Sequence, residues 1–169
     1  MKIRALEASD APAFQALRLY ALQESPTAFG SSYEEEKART VQQIEGHLVG
    51  SLERRFFGCF NEAALLGVVG VGREQGTKSR HIAFVRSMYV TPLARGQGIG
   101  RNLLLEAVNH ASAWVGVEQV TLAATASNAP AIELYRKAGF AEVGCMPRAL
   151  YVGGEYYDEL NMVHMLGVA

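Results

Sequence analysis

The chain has 169 residues, of which 49% are hydrophobic and 20% are charged, and its formal net charge is -1. This length and composition predict a single folded domain over residues 1–169 and exclude a disordered protein. The small net charge argues against nucleic acid as a partner, because proteins that bind it normally carry a strong basic excess.

The N-terminal residues contain no apolar segment of signal-peptide length. The longest apolar run, residues 63–72, is about half as long as a membrane span and is rich in Val and Gly, which favours a buried strand. We therefore expect a cytoplasmic protein that does not bind membranes. Cys59 and Cys145 lie in apolar strand-like segments, so both are expected to be buried, reduced thiols, and no metal site is predicted.

The N-terminal third of the chain predicts two helices separated by an acidic segment. The first helix is capped by Ser9 or Asp10 and runs to about Glu24, and the second covers about residues 40–52. The acidic run at residues 34–36 lies between them. Such a run is typical of a solvated helix face.

The remaining residues predict strands that alternate with two further helices. Strands are predicted at residues 55–61, 65–73, 82–90, 119–124, 140–146 and 156–165. Helices at residues 99–115 and from Asn128 to Gly139 follow the third and fourth strands, because apolar residues there recur at helical spacing. The strands are expected to form one sheet.

The turn that joins the third strand to the helix at residues 99–115 has the physical properties of a pyrophosphate site. Glycines alternate at positions 96, 98 and 100, between Arg95 and Arg101. A helix start leaves about four backbone N–H groups unpaired and carries roughly half a positive charge, so it attracts anions. Glycine lets the backbone approach a ligand closely, and the arginines add positive charge and donors.

Two other nucleotide motifs fit this turn less well. A P-loop requires Gly-Lys followed by Ser or Thr, whereas Gly100 is followed by Arg101 and Asn102. A dinucleotide fingerprint requires glycines spaced as G-x-G-x-x-G, whereas the glycines here are spaced as G-x-G-x-G. Glu118 lies at about the right distance to bind a ribose, but it precedes its strand instead of ending one.

Residues 95–100, Arg-Gly-Gln-Gly-Ile-Gly, resemble the acetyl-CoA motif Arg/Gln-x-x-Gly-x-Gly/Ala of the GNAT N-acetyltransferase superfamily. Residues 128–140 are similar to its second motif, Asn-x-x-Ala-x-x-Leu-Tyr-x-Lys-x-Gly-Phe, and the resemblance covers about residues 82–145. It implies a mixed α/β fold. In that fold a central, mostly antiparallel sheet is flanked by helices, and one parallel pair of strands splays apart to hold the cofactor.

The resemblance implies an enzyme that moves an acetyl group from acetyl-CoA to a primary amine by direct transfer, with CoA as the product. The implied cofactor-binding residues are Met88, Tyr89, Val90, Arg95, Gly96, Gln97, Gly98, Ile99, Gly100, Arg101, Asn128 and Tyr135. Residues 87–90 would pair through their backbone with the amides of the pantetheine arm. Tyr135 would be the general acid, although it also fits a core aromatic, and Asn128 also fits an ordinary helix cap.

The general base is less evident, because the strand at residues 82–90 lacks the carboxylate that many relatives carry there. His81 at the start of this strand is one candidate, since imidazole titrates near neutral pH, and it also fits a surface histidine. Glu34, Glu35 and Glu36 are further candidates that would act through water.

The acceptor side is expected to consist of the first two helices and the final hairpin, residues 148–158. Aromatic and acidic residues cluster in that hairpin: Tyr151, Tyr156, Tyr157, Glu155 and Asp158. They suit a cationic amine, and equally a hairpin with Gly153 and Gly154 in its turn. The acceptor would be a small-molecule amine or a protein amine. A non-catalytic acyl-CoA sensor or assembly module is the alternative function, and a homodimer through the late strands is a further option.

Overall fold

A computed structural model describes residues 1–49 and 51–167. It contains a seven-stranded sheet in the order β1-β2-β3-β4-β5-β7-β6. The strands are β1 (Lys2–Ala5), β2 (Arg54–Asn61), β3 (Ala64–Arg73), β4 (Ile82–Val90), β5 (Gln119–Thr125), β6 (Ala141–Val152) and β7 (Glu155–Met165). The helices are α1 (Ala11–Glu24), α2 (Tyr33–Glu36), α3 (Val41–Val49), α4 (Ile99–Ser112) and α5 (Ala129–Lys137).

The parallel pair β4–β5 separates before either strand ends. Ile82–Phe84 pairs with Gln119–Thr121, and the other neighbouring strands pair antiparallel. Both strands continue past this pairing, to Val90 and Thr125. The predicted mixed sheet with a splayed parallel pair is therefore confirmed, and the divergence leaves a slot beside the second half of β4.

A bulge at Ser87 changes which face of the sheet the residues of β4 cover. Ser87 has a φ of 54°, and the register between β3 and β4 shifts around it. Before the bulge, Val85 packs into the core on the α4 side, whereas after it Met88 packs on that side and Tyr89 packs on the α1 side. The extra residue thus turns Tyr89 toward α1 at the point where β4 borders the slot.

The two faces of the sheet carry separate hydrophobic cores. The core under α4 and α5 includes Leu103, Leu104 and Met162, which are fully buried. The core under α1 and α3 includes Leu48 and Phe56, which are also fully buried. Because α1 and α4 lie on opposite faces, the slot between β4 and β5 connects two sides of the molecule.

Several element boundaries differ from the sequence predictions. The strand β1 was not predicted, because four residues that include Lys2 and Arg4 give no periodic apolar signal. The helix predicted to residue 52 ends earlier in the structure, at Val49, and Gly50 lies outside the described residues. The strand β6 is longer than predicted because it pairs with β7 up to the hairpin turn.

Two expectations about burial are wrong. Cys145 is exposed, because it lies on the edge strand β6, whose residues 141–148 are exposed on both faces. Glu36 is buried, because it forms an ion pair with Arg18 of α1 (2.8 Å), so the acidic run is not a wholly solvated face. Cys59 is buried, as predicted. Within residues 1–49 and 51–167, no helix combines the length and apolar character needed to cross a membrane.

Candidate active site

The slot between β4 and β5 opens into a cavity of about 520 Å³. Its walls come from the ends of β4 and β5, the glycine turn, α5 and the segment after α1. The lining residues are Ser25, Ala28, Phe29, Met88, Tyr89, Val90, Ala94, Arg95, Gly96, Gly98, Ile99, Gly100, Arg101, Ala123, Ala124, Thr125, Asn128, Pro130, Ala131, Leu134 and Tyr135. The structure thus brings together every cofactor-binding residue implied by the sequence except Gln97, whose side chain donates to the carbonyl of Leu93 (3.2 Å).

The glycine turn has the conformation that its sequence predicts. Gly96 and Gly98 have φ values of 77° and 78°, in the left-handed region that favours glycine. Gly98 caps α4, whose first intrahelical bond runs from the Asn102 amide to the Gly98 carbonyl (3.0 Å). The backbone N–H groups before Asn102 therefore lack intrahelical partners, and they lie at the cavity wall, where an anion would meet the positive end of α4.

Arg95 of this turn is tied to the end of α1. Its guanidinium contacts the two Glu24 carboxylate oxygens at 2.9 and 3.2 Å, and its Nε donates to the Val90 carbonyl at 3.0 Å. The Tyr89 hydroxyl donates to the same carboxylate (3.0 Å). Hydrogen bonds from Arg95 and from Ser25 are the main reasons that the pKa of Glu24 lies below its usual value. Glu24 therefore neutralises much of the positive charge that Arg95 was expected to offer to a bound pyrophosphate.

Tyr135 lies on α5, on the wall of the cavity. Its side chain is buried against Phe140, with 6.2 Å between the ring centroids, and burial raises the pKa of the phenol to about 12. The phenol consequently stays protonated at neutral pH. Tyr135 therefore packs in the core against Phe140 and also lines the cavity.

Asn128 is the N-cap of α5. Its Oδ1 accepts a hydrogen bond from the Ala131 amide (3.3 Å), so the predicted capping role is confirmed. The residue also lines the cavity. The cap therefore places an amide side chain and the start of α5 beside the slot.

The candidate general bases do not line the cavity. His81 lies at the opposite end of β4, where its carbonyl accepts from the amides of Glu118 and Gln119. The three glutamates are engaged elsewhere: Glu34 pairs with Lys37, Glu35 bonds to Ser32, and Glu36 pairs with Arg18. Among the residues that the structure describes, the cavity wall contains no carboxylate and no imidazole.

The final hairpin is a structural unit built on its own contacts. Gly153 and Gly154 have positive φ values, and the rings of Tyr151 and Tyr156 pack with centroids 4.8 Å apart. Asp158 accepts from the backbone amide at residue 148 (2.8 Å). The hairpin interpretation of this cluster is thus confirmed, and these residues are absent from the described cavity wall.

The segment that follows α1, residues 25–29, forms part of the cavity wall, and nothing in the sequence predicted this. The Thr125 hydroxyl donates to the Thr27 carbonyl, which holds this segment against the end of β5. Phe29 packs against Tyr89, with ring centroids 6.2 Å apart, and both residues line the cavity. Because the segment is irregular apart from one 3-10 turn at Pro26–Ala28, it has no periodic pattern that could have revealed this role.

Comparison with known proteins identifies related sequences. The model of the family described as Acetyltransferase (GNAT) family matches residues 15–140. An N-alpha-acetyltransferase from Sulfurisphaera tokodaii is 32% identical over 122 residues, which cover 72% of this chain and 66% of that protein. The matched segments span between 44% and 66% of the length of the curated relatives.

Solved structures share the fold over nearly the whole chain. A GNAT-family acetyltransferase from Streptococcus pneumoniae superposes with a TM-score of 0.85 at 24% identity, covering 98% of this chain and 99% of that one. A phosphinothricin acetyltransferase from Sinorhizobium meliloti, solved in complex with AcCoA, gives a TM-score of 0.79 at 22% identity, covering 98% and 88%. This likeness shows the fold that the sequence resemblance implied.

Proposed function

Because the chain belongs to the acetyltransferase (GNAT) family, we propose that it transfers an acetyl group from acetyl-CoA to a primary amine. The observation that carries this proposal is the cavity between β4 and β5. It joins the glycine turn, the unpaired edge of β4 and Tyr135 in one continuous space. The expectations that the chain acts in the cytoplasm and binds no nucleic acid stay predictions.

The cavity suits the shape and charge of acetyl-CoA. The backbone N–H groups of the turn and the Arg101 guanidinium would hold the pyrophosphate. β4 beyond Phe84 is not paired with β5, so the backbone of Met88 and Tyr89 is available to bond the amides of an extended arm. When bound, acetyl-CoA supplies the activated acetyl thioester.

Tyr135 is proposed as the proton donor to the departing thiolate. Its phenol is protonated at neutral pH, as any phenol near its ordinary pKa of about 10 is, and burial raises the pKa further, to about 12. A protonated phenol can donate to the developing thiolate, which would otherwise leave as an anion. Asn128 is proposed to add a polar contact to the cofactor arm from the start of α5.

Proton removal from the amine is proposed to need no dedicated base in the cavity. The described wall contains no carboxylate or imidazole, and the adjacent Glu24 carboxylate is held by Arg95 and Tyr89. The amine is proposed to bind in its neutral form, with its excess proton already lost to water. The neutral amine then attacks the thioester carbonyl, the C–S bond breaks as the thiolate takes the Tyr135 proton, and the proton that the attacking nitrogen loses returns through water to the Tyr135 phenolate. This route makes the rate depend on the neutral fraction of the acceptor.

The experiment that tests the proposal combines binding with turnover. Thermal unfolding is measured with acetyl-CoA, CoA, NAD and ATP, at about a hundred times an expected dissociation constant, where a specific ligand stabilises by about 2.7 kcal/mol. Release of the CoA thiol is then followed with a panel of small-molecule and peptide amines. Stabilisation by the CoA compounds with no thiol release for any amine would favour the non-catalytic alternative, an acyl-CoA sensor or assembly module.

A homodimer through β6 is also proposed. β6 is an edge strand, and its apolar residues Val143 and Met146 are 63% and 59% exposed. An apolar edge of this length is normally covered, and a second copy would add a strand or pack its own edge there. Light scattering on the wild type and on V143K tests this: a dimer that V143K dissociates supports it, and a wild-type monomer at all concentrations contradicts it.

A further inference from the structure

Four arginines lie together on the α1 side of the sheet, on the face opposite α4. We call them the arginine cluster: Arg18 on α1, Arg39 between α2 and α3, Arg54 on β2 and Arg86 on β4. They come from four separate parts of the chain, so the sequence shows no basic run. Their combined charge is a feature of the fold alone.

The register of the sheet brings Arg86 to this face. Phe84 pairs with Gly72 of β3, and a Cβ at Gly72 would lie 2.5 Å from the Phe84 ring, so the ring covers that glycine. Side chains two positions apart on a strand share a face, so Arg86 lies on the same face as Phe84. The contact between the two residues agrees, since the guanidinium carbon is 5.0 Å from the ring centroid.

The same reasoning places Arg54. Phe56 pairs with Gly70, and a Cβ at Gly70 would lie 2.6 Å from the Phe56 ring, so this ring also lies on the α1 side. Arg54 is two residues earlier on β2 and shares that face. Its Nη2 atom is 3.5 Å from the Gly46 carbonyl of α3, which keeps the guanidinium beneath that helix.

The cluster has few carboxylates to balance its charge. Glu36 pairs with Arg18 (2.8 Å) and contacts Arg39 (3.9 Å). Within the described part of the chain, neither Arg54 nor Arg86 has a carboxylate within ion-pair distance. Four guanidinium groups therefore share one closely bound carboxylate.

Titration behaviour in the cluster agrees with this excess of positive charge. Burial, followed by the charges of Arg54, Arg86 and Arg39, lowers the pKa of His47 to about 4, so this imidazole is neutral at neutral pH. Burial and the other three arginines also lower the pKa of Arg86, and Glu74 acts in the opposite direction. Like charges in close proximity repel one another, and an oxyanion placed among them would relieve that repulsion.

Two donors in the cluster have no partner. Arg18 Nη1 and Arg54 Nε are buried without a hydrogen bond to any described residue, and the Arg18 side chain is only 8% exposed. A buried donor without a partner is costly, so such atoms are available to a bound polar group or an ordered water. Guanidinium donors favour carboxylate and phosphate oxygens.

The cluster adjoins the cavity at Phe29. The Arg18 guanidinium carbon lies 4.6 Å from the centroid of the Phe29 ring, and Phe29 lines the cavity. Arg86 is on the same face of β4 as Tyr89, because the bulge between them changes the alternation, and Tyr89 also lines the cavity. A molecule whose amine enters the slot on the α1 side would carry its other end past these residues.

We propose that the arginine cluster binds an oxyanion, a carboxylate or a phosphate, that is part of the acceptor amine. This assignment rests on the proposed acetyl transfer and adds to it the chemical class of the acceptor. It differs from the cationic acceptor that the hairpin residues suggested, whose acidic groups are bound within the hairpin.

The test compares acceptors that differ in the charge of one group near the amine, and each kcat/KM is referred to the neutral fraction of its amine, because that group also changes the pKa of the amine. Release of the CoA thiol is measured with L-amino acids against their carboxamides, with O-phosphoethanolamine against ethanolamine, and with peptides that carry Asp against those that carry Asn. The variant is Arg86→Gln, which removes one guanidinium of the cluster. The matched control is Arg55→Gln, because Arg55 is the neighbour of Arg54 on β2 and faces the opposite side of the sheet.

We expect an anionic acceptor to exceed its neutral partner about tenfold in kcat/KM, as expected for loss of a charge-assisted contact. R86Q should remove most of this preference by raising KM for the anionic acceptor, and it should leave the dissociation constant for acetyl-CoA unchanged. R55Q should keep the wild-type preference. The pair of acceptors that shows the preference identifies whether the oxyanion is an amino-acid carboxylate, a phosphate or a peptide side-chain carboxylate. Equal use of charged and neutral acceptors, or equal effects of R86Q on both, would overturn the proposal.

A binding measurement separates this proposal from the proposed activity. If no amine is acetylated, the activity fails, and calorimetry with N-acetyl-L-glutamate on the CoA-saturated protein still tests the oxyanion site. Binding that R86Q weakens and R55Q does not would support the site. Absence of binding, or binding that both variants leave unchanged, would reject it.

Discussion

Glu24 and Arg95 form a two-pronged ion pair across 71 residues of sequence, joining the end of α1 to the glycine turn. The Glu24 carboxylate also accepts a hydrogen bond from the Tyr89 hydroxyl of β4. It therefore couples three elements at the cavity: α1, β4 and the turn before α4. This contact holds the end of α1 against the glycine turn proposed to bind the cofactor.

Replacing Glu24 by Gln should loosen this junction. The ion pair is partly exposed, so we expect the free energy of unfolding to fall by only about 1 kcal/mol, with a several-fold rise in KM for acetyl-CoA because Arg95 loses its anchor. Urea unfolding and steady-state kinetics measure the two effects. Glu106→Gln, on the exposed side of α4, is the control. An unchanged KM in E24Q would show that the anchor does not position the turn.

The Tyr135→Phe variant tests the proton donor. The ring keeps its packing against Phe140, so the fold and the dissociation constant for acetyl-CoA should not change. Loss of the hydroxyl should lower kcat about a hundredfold, the usual scale for a general acid. Tyr151→Phe, an exposed hydroxyl of the hairpin, should have no effect. Wild-type kcat in Y135F would remove Tyr135 from the mechanism.

The Gly98→Ala variant tests the glycine turn. Gly98 has a φ of 78°, and an L residue there is strained even though a Cβ would meet no atom within 4 Å. We expect a loss of about 1 kcal/mol in stability and weaker binding of acetyl-CoA. Gly30→Ala is the matched control, since its Cβ would also meet open space and its backbone needs no positive φ. Equal thermal shifts with acetyl-CoA in G98A and G30A would contradict the prediction.

His47 should make the stability depend on pH. Its pKa falls from 6.5 to about 4 on folding, so the unfolded chain binds more protons between these values. The neutral form stabilises the fold fully above pH 6.5, and this contribution is lost as the pH falls toward 4, by about 1 to 2 kcal/mol because solvent screens the half-buried imidazole. The free energy of unfolding is measured with urea at several pH values between 4 and 7. It should depend less steeply on pH in His47→Gln than in the control His81→Gln. Identical slopes would show that His47 is not held neutral by the fold.

The sequence alone determined the features that depend on neighbouring residues. The turn at residues 95–101 and the helix that begins after Asn128 were predicted because glycine conformation, helix capping and apolar periodicity act within a few residues. The order of strands and helices from β2 to β7 followed from the same local signals, apart from their exact ends. These signals gave the order of the elements, whereas the splayed sheet and the cofactor-binding residues were expected from the resemblance of residues 82–145 to the family motifs.

Only the tertiary structure decided how distant parts of the chain meet. Glu24 lies at a helix end with no local signal for Arg95, and the exposure of Cys145 follows from the place of β6 at the edge of the sheet. The arginine cluster depends on strand register and on the bulge at Ser87, since one extra residue in β4 changes the face that follows it. Such contacts join residues far apart in sequence, so no periodic pattern in the chain predicts them.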